Sequence, residues 1–153
     1  MKKKSCRIKN FDYSQPHIYF VTICTKYREP IFGEIKEKTM FLNEGGQIAQ
    51  QCWQEISHHF PHVKLDKFVI MPNHVHGIIL VKNLNVGAEN FLPLHFQRNK
   101  YQHVIPKSLS SIVRGYKIGV SKWFHQNTNV HDVWQRSFYE CLIIYKPIQL
   151  SGN

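Results

Sequence analysis

The sequence predicts one α+β domain, a ferredoxin-like sandwich in which an antiparallel sheet carries helices on one face. The first indication is the order of segments along the chain: strand, helix, strand, strand, helix and a terminal element. The second is that two consecutive strands are close enough to pair as an antiparallel hairpin. The third is the length of 153 residues, which suits a single domain with its own hydrophobic core.

The first half of the chain predicts three strands and one helix. Residues 17–25 are β-branched and aromatic throughout, which is typical of a central strand. Asn43 is placed to cap a helix that Pro61 ends. Residues 64–71 and 74–81 predict the two strands of the hairpin. The apolar residues that recur at helical spacing between the cap and the proline are Ile48, Cys52, Ile56 and Phe60.

The second half predicts a loop, a helix and a terminal element. Residues 83–106 have no apolar period and predict a long surface loop, where binding residues often lie. Ser108 is placed to cap the second helix, and Ser137 to begin a last helix that carries Tyr139. The buried stripe predicted for the second helix is Leu109, Ile112, Val113, Tyr116, Val120, Trp123 and Phe124. The single domain, 1–153, is expected to have a basic lead-in at 1–10, a core at 11–141 and a short tail at 142–153.

The composition indicates a folded protein with a polyanionic partner. Lys and Arg number 20 against 10 acidic residues, which gives a net charge of +10, and 13% of the residues are aromatic. Nucleic-acid-binding domains have this balance, although anionic membranes and acidic proteins also attract basic domains. No apolar stretch is long enough to span a bilayer, and the four cysteines form no C-x-x-C pair, which argues against a zinc ribbon or a redox dithiol. A reducing cytoplasm is the expected compartment.

Two histidines are the first candidate site. His74 and His76 are two residues apart on a predicted strand, so both side chains should point to the same face of the sheet. Two neighbouring imidazoles are good ligands for a divalent cation. Ile78 and Leu80 share this face and would form a wall beside the pair. Polar pairs also occur on the solvated faces of ordinary sheets, so the spacing alone leaves both interpretations open.

A second candidate is the aromatic run at 134–140. Tyr139 could attack phosphorus as a covalent nucleophile if a metal ion polarised the phosphate, and Arg136 could hold that phosphate. The alternative is that these aromatics belong to the core or rim of a closing helix. Arg114 and Lys117 fall away from the buried stripe of the second helix and could contact the backbone of a nucleic acid.

Several segments in order resemble the REP-associated tyrosine transposases, which belong to the single-domain HUH superfamily. Residues 69–79, with His74-Val75-His76, resemble the HUH signature, and residues 133–140 resemble the segment that brings the tyrosine. The other segments that resemble the family are 11–16, 19–25, 42–48 and 108–117. The match covers about Phe11 to Glu140, nearly the whole chain.

The resemblance implies an HUH transposase fold and a metal-dependent reaction on single-stranded or hairpin DNA. His74 and His76 would bind Mg²⁺ or Mn²⁺ at the scissile phosphate, and Tyr139 would form a 5′-phosphotyrosine link that strand transfer later reverses. Arg114, Lys117 and Arg136 are the expected DNA contacts. The implied setting is the bacterial cytoplasm at the nucleoid, without a membrane partner, and the protein could act as a homodimer.

The chain also departs from the family pattern. Phe138 occupies the first of two aromatic positions where the nucleophile can align, and Cys141 stands where relatives carry a histidine, which leaves Glu140 as a substitute third ligand. The chain ends soon after the tyrosine, as a truncated copy would. Two alternatives therefore stay open, a catalytically impaired DNA-hairpin-binding remnant and an unrelated basic domain with an incidental histidine pair. Tyr116 and Tyr145 are the other candidate nucleophiles.

Overall fold

The computed structural model describes residues 17–82 and 108–143. The elements in chain order are β1 (His17–Cys24), β2 (Gly33–Lys36), β3 (Thr39–Leu42), α1 (Glu44–Gln54), α2 (Ile56–His59), β4 (Val63–Met71), β5 (His74–Val81), α3 (Leu109–Asn127) and β6 (Tyr139–Ile143). A 3₁₀ turn, Lys26–Arg28, follows β1. Four strands form an antiparallel sheet in the order β4-β5-β1-β6, and β2 and β3 form a separate hairpin. The predicted α+β sandwich is confirmed.

The hydrophobic core lies between the sheet and the helices α1 and α3. Alternation along β1 and β5 turns Tyr19, Val21, Val75 and Ile79 toward the helices, where they are almost fully buried. Trp53 of α1 packs directly under β5. A β-carbon added at Gly77 would lie 2.0 Å from the Trp53 ring, so this close approach requires glycine.

Both helix caps are formed as predicted. The Asn43 side chain accepts a hydrogen bond from the Gly46 amide at 2.9 Å, and Ser108 Oγ accepts one from the Ser111 amide at 3.2 Å. The buried residues of α1 differ from the predicted face: Gly45, Gly46, Ala49 and Trp53 are buried, whereas Ile48 and Cys52 are only half-buried. Gly45, Gly46 and Ala49 are small, so they let the α1 backbone approach its neighbours closely. A periodicity based on large apolar residues does not detect such a face.

The predicted last helix is wrong. Ser137 lies in a left-handed turn with φ of 70°, and the residues after it form β6, which pairs with β1. The pairing satisfies backbone groups along an edge of β1 that would otherwise be open, a tertiary effect that outweighs local helical preference. The lead-in at 1–10, the predicted loop at 83–106 and the tail beyond Ile143 lie outside the described residues. None of the helices in the described ranges is long and apolar enough to cross a membrane.

Candidate active site

The candidate residues meet on the outer face of the sheet, which is the face turned away from α1 and α3. In the strand register, Thr22 of β1 is paired with His76 of β5 on one side and with Tyr139 of β6 on the other. Paired residues point to the same face of a sheet. Because neighbouring strands are about 4.8 Å apart, the Cα atoms of His76 and Tyr139 are about 10 Å apart. The side chains of one tyrosine and two histidines can therefore converge on a common ligand.

The two histidine rings are adjacent, as the spacing predicted. Their centroids are 4.4 Å apart with an interplanar angle of 72°. His74 Nδ1 lies 2.6 Å from the side-chain oxygen of Asn73. Since an amide oxygen only accepts, Nδ1 carries the hydrogen, and Nε2 keeps a lone pair for a ligand.

His76 is held from two sides. Its Nδ1 lies 2.8 Å from Thr22 Oγ1, and the ring stacks on Phe20 at a centroid distance of 5.3 Å and an angle of 24°. In the tautomer in which Nδ1 donates to Thr22 Oγ1, Nε2 has the lone pair that a ligand needs. Each histidine thus has the polar second contact that orients a metal-binding imidazole.

Electrostatics favours the neutral form of both imidazoles. Burial lowers the pKa of His74, and the positive charges of His76 and Arg28 lower it further. Burial also lowers the pKa of His76. A neutral imidazole is the form that binds a metal ion, so the pair is ready to do so near neutral pH.

The donor set fits a cation that keeps open coordination positions. Within 17–82 and 108–143, no cluster of three His, Cys, Asp or Glu side chains is placed to hold a metal ion. Glu140, the substitute ligand considered from the sequence, pairs with Val21 and is buried on the opposite face of the sheet. Two nitrogen donors suit Mn²⁺ better than Mg²⁺, which prefers oxygen, and leave positions for phosphate and water.

Phe138 and Tyr139 are adjacent in sequence, but their side chains have different surroundings. Phe138 packs against the hydrophobic core, whereas Tyr139 is half-buried and belongs to the outer face. Tyr116 is buried between the helices, donates its hydroxyl hydrogen to the Ala49 carbonyl at 3.1 Å, and has a pKa raised well above normal by burial. Tyr116 is therefore unsuited to attack a substrate. Tyr145 lies outside the described residues.

The three predicted DNA contacts have different surroundings. Arg114 is exposed on α3, which covers the inner face, so the sheet separates it from His74 and His76. Arg136 is exposed in the turn before Tyr139. Lys117 is half-buried, and its Nζ donates to the carbonyls of Gln135 at 3.0 Å and Ser137 at 2.6 Å.

Lys117 is thus engaged with the protein backbone, which differs from the surface contact expected. Burial lowers its pKa. The same turn of α3 accepts a hydrogen bond from Trp134 Nε1 at 3.1 Å through the Lys117 carbonyl. These bonds fix the segment that leads into Tyr139.

Sequence reasoning missed Thr22 and Asn73 as partners of the histidines. Asn73 adjoins His74, and its amide next to a candidate ligand was a usable signal. Thr22 is 54 residues from His76 and no local pattern connects them, because their contact depends on the register of β1 and β5.

No protein-family model matches the chain. Over 142 residues the chain is 42% identical to an uncharacterized protein of Haemophilus influenzae, an alignment that covers 92% of this chain and 78% of that protein.

Two solved structures have a similar fold. One is a REP-associated tyrosine transposase bound to a REP hairpin, with a TM-score of 0.58, 14% identity, and coverage of 92% of this chain and 64% of that one. The other is a proposed transposase of Deinococcus radiodurans R1, with a TM-score of 0.51, 15% identity, and coverage of 96% and 88%. The chain spans less than two thirds of the REP-associated transposase. The resemblance inferred from the sequence is confirmed at the level of the fold.

Proposed function

Because this chain belongs to one family with the Haemophilus influenzae protein and has the fold of the REP-associated tyrosine transposases, we propose that it is a DNA transposase. Its substrate is single-stranded DNA beside a hairpin. The similar transposase was solved with a REP hairpin, and the net charge of +10 suits a polyanion. The protein acts in the bacterial cytoplasm at the nucleoid, as a monomer or a homodimer.

The observation that carries the proposal is the alignment of Tyr139, Thr22 and His76 across three neighbouring strands. A phosphate above the outer face would lie within reach of a hydroxyl nucleophile and of the imidazole nitrogens. Asn73 and Thr22 contact the histidine rings, which would hold the divalent cation, Mg²⁺ or Mn²⁺. When bound, the cation supplies Lewis-acid polarisation of the scissile phosphate.

Tyr139 then opens the strand by nucleophilic substitution. Its hydroxyl oxygen forms a bond to phosphorus and gives its proton to water, while the bond from phosphorus to O3′ breaks and O3′ takes up a proton. The products are a 5′-phosphotyrosine and a free 3′-hydroxyl. Attack of a 3′-hydroxyl on the phosphotyrosine reverses both bond changes and rejoins DNA, so no nucleotide cofactor is consumed.

The second candidate is a hairpin-binding remnant that no longer cleaves. No group of three possible ligands is present among the described residues, and Cys141 stands where the resemblance to the REP-associated transposases implies a histidine. This candidate has the same fold and charge and predicts DNA binding without a covalent product. The third candidate is an unrelated binding domain with an incidental histidine pair. It accords less well with the polar contacts that Asn73 makes to His74 and Thr22 makes to His76.

A covalent-adduct assay distinguishes the candidates. A stem-loop DNA with single-stranded flanks is incubated with the protein and Mn²⁺ or Mg²⁺, and denaturing electrophoresis detects DNA joined to protein. We expect an adduct in the wild type that is absent in Tyr139→Phe and strongly reduced in His74→Ala and His76→Ala. Binding without an adduct would favour the remnant, and an unchanged adduct in Tyr139→Phe would refute the assignment of the nucleophile.

A further inference from the structure

The turn after β1 is fixed beside the histidine pair. Thr25 is fully buried, its amide donates to the Asn73 carbonyl at 3.0 Å, and its hydroxyl lies 3.0 Å from the same oxygen and 2.8 Å from the Glu29 carbonyl. The 3₁₀ turn Lys26–Arg28 is thereby attached to the residue that precedes His74. Any group exposed on this turn is presented at the edge of the candidate site.

Backbone strain is concentrated at the same place. The non-glycine residues with positive φ in the described ranges are Tyr27, Arg28, Glu37, Lys38 and Ser137. Glu37 and Lys38 form the two-residue turn of the β2–β3 hairpin, which requires positive φ at both positions. The other three flank the candidate site, with φ of 53° at Tyr27 and 58° at Arg28. Unfavourable conformations that no hairpin explains are typical of functional sites.

Tyr27 is an aromatic ring held out into solvent. It is 82% exposed although its backbone is fixed on both sides. Lys26 Nζ lies 5.3 Å from the centroid of the ring, and Lys26 is itself held by an ion pair to Asp132 at 3.4 Å. The Lys26 amide also donates to the Val133 carbonyl at 2.9 Å. A fixed, exposed aromatic ring is the feature by which proteins stack nucleobases of single strands.

Arg28 adds a charge next to this ring. Its side chain is exposed, and its amide donates to the carbonyl of Thr25 at 3.1 Å, which holds it on the turn that is attached to Asn73. Because arginine presents a planar fork of donors, it binds phosphate in a bidentate manner. Tyr27 and Arg28 are therefore adjacent residues on a turn that is hydrogen-bonded to Asn73, the neighbour of His74.

We propose that Tyr27 and Arg28 form a clamp for the single-stranded flank of the DNA: Tyr27 stacks on a nucleobase, and Arg28 binds the phosphate beside it. The clamp positions the strand so that the scissile phosphate reaches the outer face. This inference rests on the proposed function, since it assigns two substrate contacts to the same site. Neither residue touches the reacting atoms.

The test of the ring uses two DNA probes and three variants. The probes are a stem-loop with single-stranded thymidine flanks and the same stem-loop with abasic flanks. We expect Tyr27→Ala and Tyr27→Asn to weaken binding of the thymidine probe by about fivefold to a hundredfold, with Tyr27→Phe similar to wild type. On the abasic probe the variants should bind as the wild type does. Asparagine tolerates the left-handed conformation, which controls for a distorted turn.

The matched control for the ring is Phe41→Ala, which removes another exposed aromatic ring from the separate β2–β3 hairpin. It should bind both probes like the wild type. Equal losses on both probes, or no loss on either, would overturn the stacking role of Tyr27. If Tyr27→Ala instead dissociated a dimer in sedimentation without changing DNA affinity, the ring would be a protein contact and the clamp would be refuted.

The test of the charge is the salt dependence of binding. A plot of log affinity against log salt concentration has a negative slope. Arg28→Gln should make this slope shallower by about 0.7, as expected for the loss of one single-strand phosphate contact. Lys122→Gln, at an exposed position of α3, should leave the slope unchanged. An unchanged slope in Arg28→Gln would overturn the clamp alone, provided that the wild type binds and cleaves. If the wild type bound neither probe, both the proposed function and the clamp would be refuted.

Discussion

Thr22 Oγ1 lies 2.8 Å from His76 Nδ1, a contact between two strands that joins residues 54 positions apart. It fixes the ring of one candidate ligand, while the backbone of Thr22 pairs with Tyr139 on the other side. Thr22 therefore stands between the candidate metal ligand and the candidate nucleophile.

The first prediction concerns this hydroxyl. Thr22→Val keeps the shape of the side chain and the strand preference but removes the contact to His76. Loss of such a second contact typically lowers metal affinity or activity about tenfold to a hundredfold. Calorimetric titration with Mn²⁺ should show that loss, and Thr22→Ser should restore much of the affinity. Wild-type affinity in Thr22→Val would mean that the hydroxyl does not orient the ring.

The second prediction concerns the glycine between the histidines and the core. Gly77→Ala would place a β-carbon 2.0 Å from the Trp53 ring, so Trp53 or β5 must shift. We expect a loss of about 1–3 kcal/mol in the free energy of unfolding, measured by urea denaturation. The matched control is Gly115→Ala at an exposed position of α3, where the new carbon would lie 3.4 Å from the Phe60 side chain, an ordinary van der Waals contact. It should stabilise the protein by about 0.5–1 kcal/mol.

The third prediction concerns Lys117. Lys117→Met removes the hydrogen bonds to the carbonyls of Gln135 and Ser137, which hold the turn before Tyr139. We expect the rate of adduct formation to fall severalfold, whereas DNA affinity and its salt dependence stay close to those of the wild type. A reduced salt slope with an unchanged rate would show instead that Lys117 contacts DNA directly, as the sequence suggested.

The fourth prediction concerns pH. The pKa values of His74 and His76 lie below the ordinary value of 6.5, so the folded protein binds their protons less readily than the unfolded chain. Stability from this source is fully present above pH 6.5 and is lost as pH falls through the lowered pKa values. NMR titration of the ring protons should give midpoints below 6.5 for both residues. Midpoints at or above 6.5 would contradict the described burial.

Much of the site could be predicted where one local rule applies. Strand alternation was enough to put His74 and His76 on one face, and single residues were enough to cap the helices at Asn43 and Ser108. The family resemblance made Tyr139 the candidate nucleophile, but its element was assigned wrongly. An edge strand forms because a neighbour offers unpaired backbone groups, and a local window contains no information about that neighbour.

The contacts of long range could not be predicted for the same reason. The pairing of Thr22 with His76 needs the register of two strands, and the bonds of Lys117 need the packing of α3 against the turn at 134–137. The sequence pattern treated Lys117 as a surface charge because its position avoids the apolar stripe. In the fold, that position faces backbone carbonyls.

The central claim is that the register of β6 makes Tyr139 the nucleophile. The most direct measurement is mass spectrometry of the protease-digested adduct formed with a flanked stem-loop DNA and Mn²⁺. We expect a nucleotide attached to the peptide that contains Tyr139, with the modification on that tyrosine and not elsewhere. A nucleotide on any other tyrosine, or no covalent adduct under conditions in which the protein binds the DNA, would contradict it.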